Sequence, residues 1–526
     1  MPHQNSQFYI TTPIYYVNDK PHLGHTYTTV AADVLARYHS MTGKKVFFAT
    51  GTDEHGAKIE QKATENNENV EEFVDRIAAD FQFAWDELEI SYNFLGGFIR
   101  TTDPKHMRAV QKTLQYLYDK GDIYIGVHEG WYCRGCEQYK TEGDLIEGKR
   151  CPDHNTEAEW MSEETYMFRM SAYSEQLLAK IKNDELKIRP EEKKNEIISF
   201  YKNHGLHDIS FSRKNVKWGV PLPFDNSHTA YVWADAFLNY LTVLGWDGDP
   251  DNKPEMWPPQ LQLMSKDILR VHATIWPAML LALGLPLPKQ MFVHGFFLVD
   301  GQKMSKSIGN VVAPADLINR YGADGARYLL MSATPFGHDG DINWERFDEK
   351  YNADLANGLG NLLNRVVSLT VKYLDGIVPE IEPEEGEKLK IKGVEGLDKS
   401  FSQDINDIWS EYRQSFEEIH LDEVLRHLNK LLSHCDKHIN AVKLWELVKE
   451  DKQEAAKHLY CLAETLRQIG WMIIPFMPGS TSFLWEYLGL KPTKEIERSL
   501  EDAKRWGGLK GGEQVVKGAP LFPRIN

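Results

Sequence analysis

A chain of 526 residues is too long for one hydrophobic core, so at least three packed units are expected, and 42% apolar residues with 11% aromatics exclude a disordered chain. The formal charge of −17 gives a polyanion no general basic footprint, so any nucleic-acid contact rests on particular Lys and Arg positions and weakens steeply with salt. The polar start from Met1 to Gln7, the lack of any apolar run near the ~20 residues that span a bilayer, and only five cysteines predict a soluble cytoplasmic protein with no membrane contact.

The opening reads as α/β, with short apolar β-type runs at 8–11 and 46–50 and a helical stretch over about 26–41 between them: a βαβ unit. The stretch 116–205 carries dense charge and three of the cysteines, which suits a small domain inserted at a sheet edge. A second set of β-type runs at 261–264 and 291–294 flanks an apolar helical segment over 267–283, so one sheet is split by the insertion. Beyond about 350 the apolar period becomes 3.6 residues, as in Leu421, Val424, Leu425, Leu428, Leu431 and Leu432, then Ala455, Leu459, Leu462, Leu466 and Ile469, which predicts a helical bundle. The Pro-, Glu- and Gly-rich stretch 379–396 between helices reads as a solvated loop. The expected units are 1–115 and 206–295 as the two halves of a Rossmann-like domain, 116–205 as the insertion, 296–350 as a loop and stem-contact region, and 351–526 as the helical domain.

Three motifs carry chemistry. His22-Leu23-Gly24-His25 follows a strand and opens a helix, so its imidazoles and the free N–H groups of the helix start converge on one point, where a phosphate binds. Gly24, without a Cβ, lets a flat base lie against the backbone. Taken alone, a His-x-x-His pair fits two surface polar residues equally well. The second motif is Cys133-x2-Cys136-x14-Cys151-x2-His154, the paired spacing of a zinc knuckle. Two short loops each supplying two ligands close a tetrahedron with no open position, so the Zn2+ would be structural; a site of the three thiolates alone also fits. The third is Lys303-Met304-Ser305-Lys306-Ser307, in a loop after the 291–294 strand with Gly301 and Gly309 on either side. A carboxylate attacking the α-phosphorus of ATP is already ionised, so that reaction needs positioning and charge neutralisation but no general base. Two ammonium groups on a glycine-hinged loop can do both.

HLGH and KMSKS in this order, in a split parallel sheet, resemble the two signatures of class I aminoacyl-tRNA synthetases. Within that class, Thr11-Thr12-Pro13-Ile14-Tyr15-Tyr16-Val17-Asn18, Gly51-Thr52-Asp53-Glu54-His55-Gly56 and Tyr231-Val232-Trp233-Ala234-Asp235-Ala236 resemble the methionyl-tRNA synthetase family. The likeness runs from about Phe8 to Leu521-Phe522-Pro523-Arg524-Ile525. It implies activation of L-methionine by ATP, with Mg2+, and transfer of methionine to the 3' end of initiator and elongator tRNA(Met).

The resemblance makes His22, His25, Lys303 and Lys306 catalytic, and adds Gly24, Lys266, Asp267, His294, Gly295 and Ser305 as ATP contacts. Asp53 would hold the substrate ammonium, and Ile14, Tyr16, Trp233, Ala236, Tyr240, Ile268 and His272 would line the side-chain pocket. A thioether is polarizable and packs well on aromatic faces, and a Tyr or His can offer its sulfur a weak hydrogen bond. One methylene is worth only ~1–3 kcal/mol in such a pocket, so homocysteine should leak into activation. Cys133, Cys136, Cys151 and His154 match a variant of the family's knuckle, which often has four cysteines. Asn361, Arg365 and Trp445 would meet the anticodon, by base stacking and edge reading. Two departures stand out: Leu444 precedes Trp445 where the family usually has proline, and Ser265 precedes Lys266 where it usually has glycine. With no appended tRNA-binding module after 521–525, a monomer is expected.

Among rival readings, a nucleotidyltransferase that only adenylylates small acids would lack the helical tail, and a non-catalytic tRNA-holding module would not need both motifs intact. A synthetase for cysteine, leucine, isoleucine or valine would differ around Trp233.

Overall fold

The strand Gln7–Thr11 is buried along nearly its whole length, as a strand covered on both faces must be. It lies at the centre of a seven-stranded sheet in the computed structural model, which describes residues 6–134, 138–140, 142–152, 155–214, 216–299, 301–303 and 310–525. The chain leaves this strand, forms the helix Leu23–Met41, and returns as Lys45–Asp53 parallel to it, with Gln7 opposite Lys45 and Thr11 opposite Ala49. On its other side lies Leu261–Ser265, also parallel, with Ile10 opposite Leu261. The helix Leu269–Ala282 then crosses to the strand Gln290–His294. Tyr15–Tyr16 and Gly96–Arg100 add parallel strands to Lys45–Asp53.

This is the split α/β sheet expected from the sequence. Its crossovers run in opposite directions from Gln7–Thr11, which opens a crevice at the carboxyl ends of the strands, where ligands of such sheets bind. Thr11, Asp53, Ser265 and His294 stand at those ends.

Between the halves, Ile123–Cys133 pairs antiparallel with Glu159–Phe168, in a four-stranded sheet with Gln138–Lys140 and Ile209–Ser210. The strand Lys187–Arg189, inside the 116–205 span, joins the main sheet beside Gln290–His294.

The helical region holds Phe401–Glu418, Leu421–Ala441 and Lys452–Ile473, and every leucine-pattern residue named above is buried there. The stretch 379–396 is mostly exposed, as expected of a solvated loop, but departs from that expectation at two points. It contains the short helix Pro383–Lys388, and Ile391 is buried, its N–H donating to Lys399 O at 3.0 Å. One isoleucine in a polar stretch gains enough by burial to pull the backbone inward.

The bundle is bolted to the sheet by Arg327. Its buried guanidinium donates to Pro475 O (2.7 Å) and Phe476 O (2.9 Å) of the bundle, and to Leu88 O and the Asp33 carboxylate of the catalytic half. Burial would raise the Asp33 carboxyl, but Arg37 and Arg327 hold it below its ordinary value. Among the described residues, no helix is long and apolar enough to cross a membrane.

Candidate active site

His22 sits at the N-cap of the helix Leu23–Met41 in extended conformation, so the helix starts earlier than the periodicity suggested. Its Nδ1 accepts the Gly24 N–H at 3.1 Å, and the His25 Nδ1 accepts the His22 N–H at 3.3 Å. The Leu23 N–H donates to Val312 O at 3.0 Å. These backbone N–H groups of the helix start are therefore engaged, contrary to the expectation that they point free at a phosphate.

The capping instead determines what the imidazoles offer. A ring nitrogen that accepts from a backbone N–H carries no proton, so each neutral ring keeps its proton on Nε2 as a donor. The rings stack at 3.8 Å. Burial lowers the proton affinity of His22, and that of His25 well below ordinary, with the neighbouring His22 adding to the effect on His25. Two neutral N–H donors thus stand side by side. A Cβ on Gly24 would meet the His22 ring at 3.0 Å, so glycine permits this capping geometry.

His294 closes the other side. Its Nδ1 lies 2.8 Å from Gly295 O, which can only accept, so its Nε2 accepts the Thr28 hydroxyl at 2.7 Å. Both nitrogens are committed, and burial pushes its pKa down to about 4. His294 thereby holds the helix of His22 and His25 against the strand Gln290–His294. Gly295 has a packing reason: a Cβ there would lie 2.4 Å from the backbone of His338 and Asp339.

Asp267 is exposed at the crevice mouth and attracts protons toward His22, His272 and His294. Ser265, in place of the expected glycine, donates its hydroxyl to the Asp267 carboxylate. The Lys266 ammonium lies on the Asp339 carboxylate and over the Phe296 ring at 4.7 Å. Lys303 ends the two-residue strand Gln302–Lys303, which pairs with Phe297–Val299; its side chain, and Ser305 and Lys306 altogether, lie outside the described residues.

The opposite wall is aromatic. The His272 Nδ1 donates to Ile268 O at 2.9 Å, so its Nε2 accepts the Tyr240 O–H at 2.8 Å. Both groups' protons are spent inside the protein, which leaves neither to donate to a sulfur in this arrangement, unlike the expectation above. Trp233 meets His272 edge-on at 6.5 Å, and Ala236 is buried beside them on the helix Val232–Ala236. Tyr16 is in register with Asp53, which is nearly buried, and Ile14 precedes the Tyr15–Tyr16 strand, half-buried.

Two groups escaped the sequence reading. The Arg213 guanidinium lies over the Tyr231 ring at 4.1 Å and donates to Ser210 Oγ and Ser212 O. With His55, Tyr132, Trp218 and Val232 it lines a cavity of about 20 Å³. The other is Asp235, which binds His55 and His106. Both His55 and Asp235 stand inside the words TDEHG and YVWADA, which were legible, but nothing in sequence pairs them.

In the insertion, Cys133 and Cys151 are fully buried. Thr156 joins them, its Oγ1 3.7 Å from Cys133 Sγ and its carbonyl accepting the Cys151 N–H at 2.8 Å. Cys136 and His154 lie outside the described residues. In the bundle, Asn361 and Trp445 are exposed, and the Arg365 guanidinium donates to Asp436 Oδ1 and Asn440 Oδ1, each at 2.9 Å. Leu444, in place of the expected proline, is fully buried and anchors the helix Leu444–Glu450, leaving Trp445 outward.

Comparison with known proteins places this geometry. The family model described as tRNA synthetases class I (M) matches residues 8–159 and 142–367, and the anticodon-binding domain of tRNA ligase matches 398–508. The methionine–tRNA ligase of Caldanaerobacter subterraneus is 44% identical over 99% of this chain and 79% of its own length. The chain belongs to the methionyl-tRNA synthetase family.

The methionine–tRNA ligase of Streptomyces coelicolor is 40% identical over 98% of this chain and 96% of its own. The Mycobacterium tuberculosis methionyl-tRNA synthetase in complex with methionyl-adenylate superposes with a TM-score of 0.90 at 35% identity, covering 99% of this chain and 100% of that one. The chain is accordingly a ligase that activates methionine with ATP and joins it to tRNA. Its C-terminal helical region contains an anticodon-binding domain, matched over 398–508.

Proposed function

We propose that the crevice at the strand ends divides its substrates between its two walls: ATP against His22, His25 and Asp267, and methionine between Asp53 and the Trp233–His272 wall. The observation that carries this reading is the paired capping of His22 and His25 at the helix start, which leaves each ring a neutral Nε2–H donor. Neutral donors suit a polyphosphate whose charge is balanced by Mg2+ and by the lysines of the 303–306 segment, because they stabilise developing charge without needing to be reprotonated. Lys303 and Lys306 neutralise the α-phosphate as the methionine carboxylate attacks it, and Ser305 is a further contact to ATP. Lys266 joins them by exchanging Asp339 for a phosphate. Asp53 takes the ammonium through a charge-assisted bond.

Homocysteine enters the same pocket, because one methylene is worth only ~1–3 kcal/mol there. Two buried cysteines beside Thr156 suit Zn2+, which would be held by Cys133 and Cys151, as thiolates, with Cys136 and His154, bracing the insertion. Asn361, Arg365 and Trp445 read the anticodon, Trp445 by stacking.

The test is methionine-dependent exchange of pyrophosphate into ATP. Lys306→Ala should slow exchange with methionine KM little changed, and Asp53→Asn should raise methionine KM. An equal loss of both parameters in Lys306→Ala would remove that lysine from the transition state. Metal content of Cys151→Ser, expected to fall to none, tests the zinc.

A further inference from the structure

The Asp235 carboxylate is buried, yet each oxygen has an imidazole partner: Oδ2 lies 2.6 Å from His55 Nδ1, and Oδ1 lies 2.8 Å from His106 Nε2. His106 is set in turn by the Thr242 hydroxyl at 2.7 Å from its Nδ1. Burial alone would raise the Asp235 carboxyl, but the two imidazoles outweigh it and bring it down to about 2, so it is a charged group bound by two N–H donors. Such a group tolerates little movement, since losing either donor leaves charge uncompensated in the interior.

Its position is what matters. Asp235 lies on the short helix Val232–Ala236, which carries Trp233 and Ala236 of the side-chain wall. His55 lies two residues beyond Asp53, on the strap that leaves the strand Lys45–Asp53. That strap is itself rigid: the Glu54 carboxylate accepts from Arg100 at 2.7 Å and from Thr52, the Trp218 indole donates to Glu54 O at 2.6 Å, and the Gly56 N–H donates to Trp218 O. His106 lies on a third element, the helix Pro104–Lys120.

We propose that Asp235, acting through His55, is a positioning and specificity-determining residue that sets the gap between the Asp53 carboxylate and the Trp233–Ala236 wall. This rests on the reading that methionine spans that gap, ammonium at one end and thioether at the other. A fixed gap selects side-chain length; a loosened one weakens methionine binding and admits longer side chains. ATP, on the other wall, is insulated from the change.

The experiment uses the full-length enzyme in pyrophosphate exchange, with methionine and with its longer S-ethyl homologue, beside thermal unfolding. Asp235→Asn turns an amide N–H toward one imidazole N–H and breaks that contact. Methionine KM should rise about ten- to a hundredfold, as expected for an orphaned buried donor, with ATP KM within about threefold. The preference for methionine over the ethyl homologue should fall. A rise in both KM values together, or unchanged discrimination, would overturn the proposal and leave Asp235 merely structural. His55→Gln, whose amide can still donate to Asp235, should keep methionine KM near that of the parent, whereas His55→Leu should raise it; equal behaviour of these two also overturns the proposal. That pair decides the matter if Asp235→Asn does not fold. Asp53→Asn runs beside them: a normal methionine KM there refutes the assignment of the site itself, while a raised one with normal discrimination in Asp235→Asn refutes only the positioning role.

Discussion

The Lys266 ammonium lies 2.7 Å from the Asp339 carboxylate, joining the end of the strand Leu261–Ser265 to the loop that packs on Gly295. With the two side chains 32% and 45% exposed, the pair is screened and worth ~0–1 kcal/mol, which a polyphosphate can outbid. Lys266→Ala should raise the KM for ATP about tenfold, whereas Asp339→Asn should leave it within about threefold of the parent. Pyrophosphate exchange over a range of ATP concentrations measures both. An Asp339→Asn enzyme as impaired as Lys266→Ala would mean that Asp339 builds the site and does not compete within it.

Stability should fall as the solution is acidified through the histidine range. His272 and His294 are lowered from 6.5 to about 4 by burial, so in that window the unfolded chain binds protons that the folded one refuses. Their contribution is complete above the unfolded value and lost as pH falls toward the folded one, at about 1.4 kcal/mol per pH unit for each ring. Urea unfolding of His294→Gln should show a pH slope between 6.5 and 4 shallower by about that amount. A slope equal to that of the parent would mean that His294 is protonated in the native state.

Tyr240→Phe removes the hydroxyl that donates to His272 Nε2, while Nδ1 is turned to Ile268 O. The orphaned buried acceptor should lower stability by about 1–3 kcal/mol and raise methionine KM, with ATP KM little affected. Denaturant titration beside exchange kinetics reads both. No loss of stability would imply that the imidazole can turn to another donor.

Trp445→Ala removes an exposed indole held outward by buried Leu444. Loss of one stacked base is worth about 1–3 kcal/mol, so tRNA binding should weaken roughly ten- to a hundredfold while tRNA-free pyrophosphate exchange is unchanged. A filter-binding titration at fixed salt provides the measurement, and impaired exchange would place the defect in folding.

Much of this protein was legible before its structure. The split sheet followed from apolar runs separated by helical periods, and the bundle from leucines three and four apart, because burial imposes a local period on any chain that forms those elements. The family was legible because its motifs, among them the words that hold His22, His25, Asp53 and Trp233, are short stretches readable without any long-range contact. The stretch 379–396 is largely solvated as expected, and what composition missed is the short helix Pro383–Lys388 and the burial of Ile391, because composition averages over eighteen positions.

What sequence determined by itself was which elements form and the family whose chemistry the chain carries. What tertiary structure alone decided was the state of particular side chains. That His22 and His25 are capping, neutral donors, that Tyr240 spends its proton on His272 and His272 its own on Ile268 O, and that Asp235 joins His55 to His106 all depend on partners distant along the chain or on backbone direction. Proton positions follow from which acceptor lies within about 3 Å, and no pattern of residue types along a chain encodes that distance.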